Sequence, residues 1–470
     1  MRSHKAGSIA PLQMPRRLGR NFLLVLLINV SARLANVLLF VAIARRLGAE
    51  SAGSFNLALT YTAIFFTLSL WGLDELLIRD VAQNRQMASR FLLHFGVVRF
   101  ALASGAYVAL LLLLRWAVPY ALHTRWVIAL IGTTVVADGM NTLGRSVYIA
   151  YEAFLLPTLV ALLEGCVRVI GGIVALQLTS DTLIVGLAFV AGSWISVGIY
   201  YLGLIRLLHT HLLDVGWSPR FLVHRLHQML YFAWIGIVYV LMFQADTILL
   251  SFLRGERAVG WYGVSQTIFT MALVLTRSYQ TALYPVMSRL YAEEGMQGRR
   301  LQALYTASLL LSLLVGFPVA LIIMGLSAEI TTAFLGQPVV PAVGALKWTA
   351  WAVLAQLLIV PNVRILLASG HQRLVAWLLT ASMSVNLLLN FALIPLWGIP
   401  GAGSARFLSL FFFFLLTSLG IHHYASHRVS RQAAVATSRI ALNGQRSWSS
   451  QSSRFLQGLL SVLRNARREK

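Results

Sequence analysis

The chain has 470 residues, of which 58% are apolar and only 11% are charged, with a formal net charge of +23 and a mean hydropathy of +0.75. An average soluble domain is about one quarter charged, so this composition excludes a water-soluble fold and requires that much of the surface face lipid. The basic excess would suit nucleic acid, but the basic residues gather in alternate loops between apolar blocks. No nucleic-acid partner is therefore predicted.

Blocks of about 20 apolar residues, long enough to cross a ~30 Å bilayer core as a helix, recur along the chain. Lipid tolerates only helices and closed barrels, and these blocks are too long and too apolar for barrel strands. We therefore predict an all-α, polytopic membrane protein of about twelve transmembrane helices. The predicted spans are 22–44, 55–77, 91–114, 126–150, 157–178, 183–205, 230–253, 261–284, 303–325, 346–368, 374–397 and 401–422.

The positive-inside rule orients these spans. With the N-terminus inside, the inner segments hold 25 of the 38 Lys and Arg residues, so both termini are predicted to be cytoplasmic. The basic start lacks a convincing signal-peptide cleavage site, so residues 22–44 are expected to stay as the first span. The tail ends in a basic segment that is either an amphipathic helix on anionic lipid or a solvated disordered tail. The single Cys166 excludes a disulfide within the chain.

An internal repeat relates the two halves of the chain. After the first and the seventh span, the sequence has a glycine, four residues, a second glycine, one residue and an aromatic residue. The two copies are Gly48, Gly53 and Phe55, and Gly255, Gly260 and Tyr262. Parallel repeats of this kind are typical of secondary transporters, in which the substrate binds between the halves near the membrane midplane.

The repeat predicts two pseudo-symmetric six-helix bundles. The predicted units are a cytoplasmic N-terminus at 1–21, an N-terminal lobe at 22–205, a cytoplasmic linker at 206–229, a C-terminal lobe at 230–422 and a basic cytoplasmic tail at 423–470. Every predicted outer loop is short, which disfavours a membrane enzyme with catalytic groups on a large loop.

Five segments together resemble the polysaccharide and O-antigen flippases of the multidrug/oligosaccharidyl-lipid/polysaccharide exporter superfamily. They are Ala42–Gly48 with Gly53–Phe55, Trp71–Arg79, Gln244–Leu250 with Gly255–Gly263, Tyr284–Leu290 and Asn390–Gly403. The resemblance covers residues 20–422. The chain departs from the family at Asp74-Glu75, where the family usually has small neutral residues, and in its long tail.

The resemblance implies two six-helix bundles and a transporter of the bacterial inner membrane. No cofactor is predicted. The resemblance also implies a cargo, an undecaprenyl-diphosphate-linked oligosaccharide, that is flipped across the membrane by alternating access during the biosynthesis of surface polysaccharide such as O-antigen. The expected partners are membrane lipids and the polysaccharide polymerase machinery. Arginine suits such a diphosphate because guanidinium stays charged and bonds phosphate in forked geometry.

Charged residues at membrane depth are the candidate site residues, because each costs roughly 2.5–3.5 kcal/mol on insertion scales. Arg33, Arg99, Arg168 and Arg277 are the candidates for binding the headgroup. Arg33 is too deep in its span to reach the interface, and its alternative role is a structural pair with an acid. Arg99 and Arg277 could instead extend to the interface, and Arg168 could pair with Glu164 one helical turn before it.

The deep acids Asp246, Asp138 and Glu164 are candidates for coupling to a cation or for pairing with an arginine. Arg364 and Arg406 are interpreted as interfacial anchors. The histidines have no partners at metal-ligand spacing, so neither a metal site nor a catalytic site is predicted.

Three other functions compete with flipping. A cation-coupled multidrug exporter of the same superfamily should have an acidic or aromatic cavity, whereas the deep charges here are mostly arginines. A glycan polymerase or ligase would need a large outer loop, and a channel would need a short filter loop between spans; neither feature is predicted.

Overall fold

The computed structural model describes residues 13–208 and 230–424, and the chain is helical throughout these two ranges apart from short connections. Most of the predicted linker and of the basic tail lies outside the described residues. The helices are α1 Gln13–Leu70, α2 Leu73–Gln83, α3 Ala88–Trp116, α4 Leu122–Gly132, α5 Thr134–Ala150, α6 Leu155–Leu178, α7 Thr182–Leu208, α8 Leu230–Arg254, α9 Glu256–Glu294, α10 Arg299–Gly325, α11 Ser327–Leu335, α12 Val340–Ala368, α13 Gln372–Trp397 and α14 Ile399–Tyr424.

Helix α1 reverses direction at Gly48, whose backbone (φ 86°, ψ 179°) is not helical. A straight helix would separate residues 33 and 63 by about 45 Å at 1.5 Å per residue. Both residues nevertheless line one cavity, so the segments on either side of Gly48 lie side by side. Gly255, which precedes α9, has nearly the same backbone angles (φ 81°, ψ 178°). The positive φ explains why glycine occupies both positions of the repeat.

Two predicted spans are interrupted in the structure. The predicted span 55–77 breaks at Trp71 and Gly72, which both have positive φ (48° and 71°), and α2 then starts at Leu73. The predicted span 126–150 consists of α4 and α5, which meet at Thr133. The hydroxyl of Thr133 donates to the Leu130 carbonyl, a local bond that competes with regular helix geometry.

Ten described segments are long and apolar enough to cross a membrane. The first of these segments contains the reversal at Gly48, and so provides two crossings. Helix α9, with 39 residues, is also long enough to span. Counted in this way, the described residues offer twelve candidate crossings, and the prediction of an all-α polytopic fold with about twelve transmembrane helices is confirmed.

The helices form two bundles, an N-terminal lobe of α1–α7 and a C-terminal lobe of α8–α14. A buried apolar cluster that includes Phe55 and Tyr120 of the first lobe and Tyr262 and Ile399 of the second joins the lobes at the end where Gly48 and Gly255 lie. We call this the glycine end. Elsewhere each lobe has apolar clusters of its own. The lobes are thus packed together at one end and have separate cores at the other.

The repeated glycines make reciprocal contacts at the glycine end. A Cβ atom on Gly53 would lie 1.9 Å from the carbonyl oxygen of Glu256, and one on Gly260 would lie 1.8 Å from the carbonyl oxygen of Ala49. Only glycine permits two backbones to approach this closely. The second glycine of each repeat copy is therefore where the start of one helix packs against the start of its symmetry-related counterpart.

Candidate substrate site

A cavity of about 290 Å³ lies between the two lobes, on the side of the repeated glycines that faces away from the glycine end. Its charged lining residues, Arg33, Asp138 and Arg168, all come from the N-terminal lobe. The C-terminal lobe contributes neutral residues: Gln244, Gln266, Thr267, Thr270 and Met271. Aromatic rings of Phe40, Phe66 and Phe189 complete the lining from the first lobe. The cavity therefore combines guanidinium groups, amides, hydroxyls and aromatic faces.

Arg33 reaches across the boundary between the lobes. It lies in the first half of α1, and its Nη1 donates to the carbonyl oxygen of Thr270 on α9 at 2.9 Å. The side chain is partly buried and lines the cavity. The structure thus places this predicted residue in a partly open cavity of mixed polar and apolar lining, where both lobes meet.

Arg168 lies at the centre of a cluster of ionised groups. Its guanidinium forms an ion pair with Glu164 one turn earlier on α6, and Asp138 lies 3.8 Å away on α5. It also donates to Ser193 Oγ at 2.7 Å. The ring of Phe189 lies under the guanidinium, 3.9 Å from its carbon to the ring centroid, a cation–π arrangement.

Asp138 is the most accessible group of this cluster. Its side chain is 30% exposed, whereas that of Glu164 is 19% exposed and that of Arg168 only 7%. Two carboxylates therefore compensate the charge of Arg168, and the more accessible one faces the cavity.

Arg99 is buried away from the cavity. It is fully buried, its Nη2 pairs with Asp74 Oδ2 at 2.6 Å, and its Nη1 donates to the Ser69 carbonyl at 2.7 Å. The Ser69 carbonyl lies at the end of α1, where helix carbonyls lose their intrahelical partners. Arg99 and Asp74 thus stabilise the interruption of the helix at Trp71 and Gly72. Asp74, at which the sequence departs from the family pattern, has Arg99 as its structural partner.

The side chain of Arg277 lies outside what the structure describes, so its predicted role stays a prediction. Arg364 is half-buried on α12, where it donates to Gln280 and lies 5.7 Å from the ring of Tyr284. Among the described residues, no group of three His, Cys, Asp or Glu side chains could hold a metal ion.

Asp246 and Arg406 form a buried ion pair inside the C-terminal lobe. Their side chains are 0% and 1% exposed, and Arg406 Nη2 lies 2.5 Å from Asp246 Oδ2. Tyr262 donates to the same carboxylate oxygen at 2.7 Å, and the Thr247 amide donates to the other at 2.8 Å. The interpretation of Arg406 as an interfacial anchor is therefore wrong. Its charge is compensated in the core, next to the ring of Phe269 at 4.7 Å.

Uncharged polar residues form much of the cavity lining, and they were missed because only charged residues were considered as candidate site residues. Asn36, Asn56, Gln244 and Gln266 are amides within predicted spans or beside them. Uncharged amides inside apolar blocks are a weaker signal than arginines, because they cost less to insert and occur often in helix contacts.

Hydrogen bonds reinforce the glycine end. Glu256, the first residue of α9, accepts bonds from Ser54 at 3.1 Å and from Thr124 at 2.5 Å, both in the other lobe. Tyr120 of the N-terminal lobe and Ser251 of the C-terminal lobe are 2.6 Å apart through their hydroxyl oxygens. These contacts close the cavity on this side.

Comparisons with known proteins agree with this architecture. A family model described as polysaccharide biosynthesis protein matches residues 18–291, and one described as MatE matches residues 233–392. No curated protein matches the chain. The two lobes and the cavity between them define a multi-pass membrane transporter. Because the first match covers more than half of the residues, the chain belongs to the polysaccharide biosynthesis protein family.

The fold is similar to solved transporters of the MOP superfamily. An inward-facing multidrug resistance MATE family transporter has a TM-score of 0.71 at 13% identity, covering 85% of this chain and 99% of that one. The lipid II flippase MurJ in an inward closed conformation has a TM-score of 0.66 at 13% identity, covering 84% and 87%. A transporter from Pyrococcus furiosus, described as having a binding pocket of reverse polarity, has a TM-score of 0.60 at 13% identity, covering 86% and 95%.

Proposed function

We propose that this transporter flips an undecaprenyl-diphosphate-linked oligosaccharide across the bacterial inner membrane for surface polysaccharide biosynthesis such as that of O-antigen. The isoprenoid tail stays in lipid, while the diphosphate and the glycan pass through the cavity between the lobes. Membrane lipids and the polysaccharide polymerase machinery are the proposed partners. Both termini are proposed to be cytoplasmic.

The observation that carries this proposal is the position of Arg33 in the cavity. Arg33 is a guanidinium at membrane depth that lines the cavity, and one of its hydrogen bonds reaches the Thr270 carbonyl of the other lobe at 2.9 Å. Lining amides and hydroxyls such as Asn56, Thr60 and Gln244 are suited to sugar hydroxyls, which both donate and accept hydrogen bonds. Family membership supports the same class of cargo.

Arg168 has a different proposed part in headgroup binding. Because Glu164 and Asp138 already compensate its charge, it contributes little net attraction for an anion in this conformation. We place the first contact of the diphosphate at Arg33 because it lines the cavity where the two lobes meet, and we place Arg168 as a second contact once Asp138 moves away or is neutralised.

The asymmetry of the contacts between the lobes supports transport by alternating access. The glycine end, which the positive-inside rule places outside, is closed by glycine contacts and hydrogen bonds. Cargo would enter from the opposite end and leave after the glycine end separates.

The experiment compares Arg33→Ala with Arg46→Ala, an exposed arginine on the same half of α1. Purified variants in proteoliposomes are given undecaprenyl diphosphate carrying a short neutral oligosaccharide, and its transfer between leaflets is measured. Losing a hydrogen bond to a charged group, roughly 1.5–3 kcal/mol, should slow transfer at least about tenfold in Arg33→Ala and leave Arg46→Ala unchanged. A normal rate in Arg33→Ala at equal protein levels would show that the assigned role is wrong.

A cation-coupled multidrug exporter is the second candidate, favoured by the MatE match and by Asp138, which is 30% exposed in the cavity beside aromatic rings. Such an exporter would lower the susceptibility of cells to cationic drugs and would lose this effect in Asp138→Asn. Efflux of a cationic dye from cells with and without the protein separates the two candidates.

A further inference from the structure

We propose that the buried Asp246–Arg406 pair orients two glutamine side chains so that Gln244 presents N–H donors to a phosphate oxygen of the cargo. This inference rests on the proposed function, because it assigns a second headgroup contact in the same cavity. It concerns the C-terminal lobe, whose contributions to the lining are all neutral.

The first step is the orientation of Gln266. Arg406 reaches its side-chain Oε1, and a guanidinium can only donate hydrogen bonds. The atom facing Arg406 must therefore be the amide oxygen of Gln266. Arg406 is itself held by the carboxylate of Asp246 at 2.5 Å, in a site where both side chains are almost completely buried.

In the second step, the orientation of Gln266 fixes that of Gln244. The NH₂ group of Gln266 donates to the Phe243 carbonyl at 3.2 Å and to Gln244 Oε1 at 3.1 Å. Thr60 of the other lobe donates to the same oxygen of Gln244 at 3.3 Å. With its oxygen held by two donors, Gln244 has its NH₂ group on the remaining side.

The third step asks whether the NH₂ group of Gln244 already has a hydrogen-bond acceptor. Within residues 13–208 and 230–424, no acceptor lies within hydrogen-bond distance of Gln244 Nε2, and Gln244 lines the cavity. A ligand group that meets it must accept hydrogen bonds. Phosphate oxygens only accept when ionised, and a bond to an anion is about twice as strong as one between neutral groups. A diphosphate thus fits this position, with Arg33 donating from the opposite lobe.

We call the chain of hydrogen bonds from Arg406 through Gln266 to Gln244 the relay. The relay makes Gln266 and Arg406 positioning residues, and Gln244 the residue that contacts the cargo. A reversed Gln244 would present an acceptor to the phosphate, which is repulsive. The ion pair opposes this reversal, because reversing Gln244 would leave its NH₂ group facing the NH₂ group of Gln266, which can only donate. This is a role for Asp246 other than coupling to a cation.

The test measures binding of farnesyl diphosphate, inorganic diphosphate and farnesol to the full-length protein in nanodiscs by titration calorimetry. The wild type should bind both diphosphates and bind farnesol much more weakly. Gln244→Leu should weaken diphosphate binding at least about tenfold, the loss of one hydrogen bond to an anion. The control Gln177→Leu, at an exposed position of α6, should bind as the wild type does.

A double-mutant cycle then tests the positioning role. Gln266→Met should weaken diphosphate binding several-fold on its own and have no further effect when combined with Gln244→Leu. A purely structural effect of Gln266 would instead add to that of Gln244→Leu, and this outcome would overturn the relay.

Three other outcomes bear on this inference and on the proposed function. If the wild type binds neither diphosphate, the proposed function fails, and the relay fails with it. If the wild type binds diphosphate and Gln244→Leu binds equally well, only the relay is overturned. If glucuronate competes and is sensitive to Gln244→Leu while diphosphate binding is not, the donors serve an acidic sugar and the assignment to phosphate is wrong.

Discussion

Replacing Gly260 by alanine should force the lobes apart at the glycine end. The added Cβ would lie 1.8 Å from the carbonyl oxygen of Ala49 and 3.0 Å from the amide nitrogen of Gly53. Carbon and carbonyl oxygen in contact are normally about 3.3–3.6 Å apart, so the two backbones must separate locally by roughly 1.5 Å. Both neighbours are backbone atoms, which cannot rotate away as a side chain could.

The magnitude follows from the cost of overpacking, typically about 1–3 kcal/mol. This cost falls only on the closed state, because the two helix starts no longer touch once the lobes separate. A difference of about 1–3 kcal/mol changes a two-state ratio by about 5–150-fold. Gly260→Ala should therefore increase the fraction of molecules open at the glycine end by that factor.

The assay uses the accessibility of the cavity from outside. Thr267→Cys, in the cavity lining, is introduced together with Cys166→Ser, and intact cells are treated with a membrane-impermeant maleimide. Gly260→Ala should raise the labelling rate, while Gly105→Ala, where a Cβ would meet nothing within 4 Å, should leave it unchanged. Unchanged labelling in Gly260→Ala at normal protein levels would refute the account of the closed end.

Three further predictions concern ionised groups. Arg99→Ala leaves the carboxylate of Asp74 buried without its partner and should cost about 3–5 kcal/mol in thermal unfolding, whereas replacing both residues by leucine should recover most of this loss. Glu256→Gln weakens the two hydrogen bonds from the other lobe and should raise maleimide labelling from outside several-fold. The hydrogen bonds from His123 and from a backbone amide hold the pKa of Asp181 below its usual value. This contribution to stability is present above that usual value and is lost as the pH falls through the lowered pKa, so the small difference in melting temperature between His123→Ala and the wild type should vanish in acid.

Hydrophobic block length was sufficient to predict the class of fold. Each block satisfies the bilayer thickness on its own, so the twelve crossings could be counted without knowing their neighbours. The glycine repeat predicted the pseudo-symmetry, because a positive φ and a close backbone contact both require glycine. The reciprocal contact between Gly53 and Gly260 explains why the second glycine of each copy is present.

The partners of the deep charges could not be predicted in the same way. A sequence gives the depth of a residue in its helix, but the direction in which it points depends on how helices from distant parts of the chain pack. Arg99 and Asp74 are 25 residues apart, and Arg406 and Asp246 are 160 apart. Only the pair of Glu164 and Arg168, one turn apart on α6, could be anticipated from spacing alone.

The break at Trp71 and Gly72 also escaped prediction, because the apolar residues continue through it. Its cause is local backbone geometry stabilised from another helix by Arg99. Hydropathy measures only whether a segment can lie in lipid, and it carries no information about such a turn.

The placement of the buried ion pairs has a mechanical consequence. Asp74 with Arg99 and Glu164 with Arg168 lie within the first bundle, and Asp246 with Arg406 lies within the second. Rocking the bundles therefore separates none of these three pairs, a step that would strand a charge in lipid at a cost of several kcal/mol. The bundles are instead held to each other partly by neutral bonds such as that of Thr60 to Gln244, each worth only about 0.5–1.5 kcal/mol net. Each half carries its own counter-ions, so the bonds that must break at the boundary between the halves are single hydrogen bonds and not buried ion pairs.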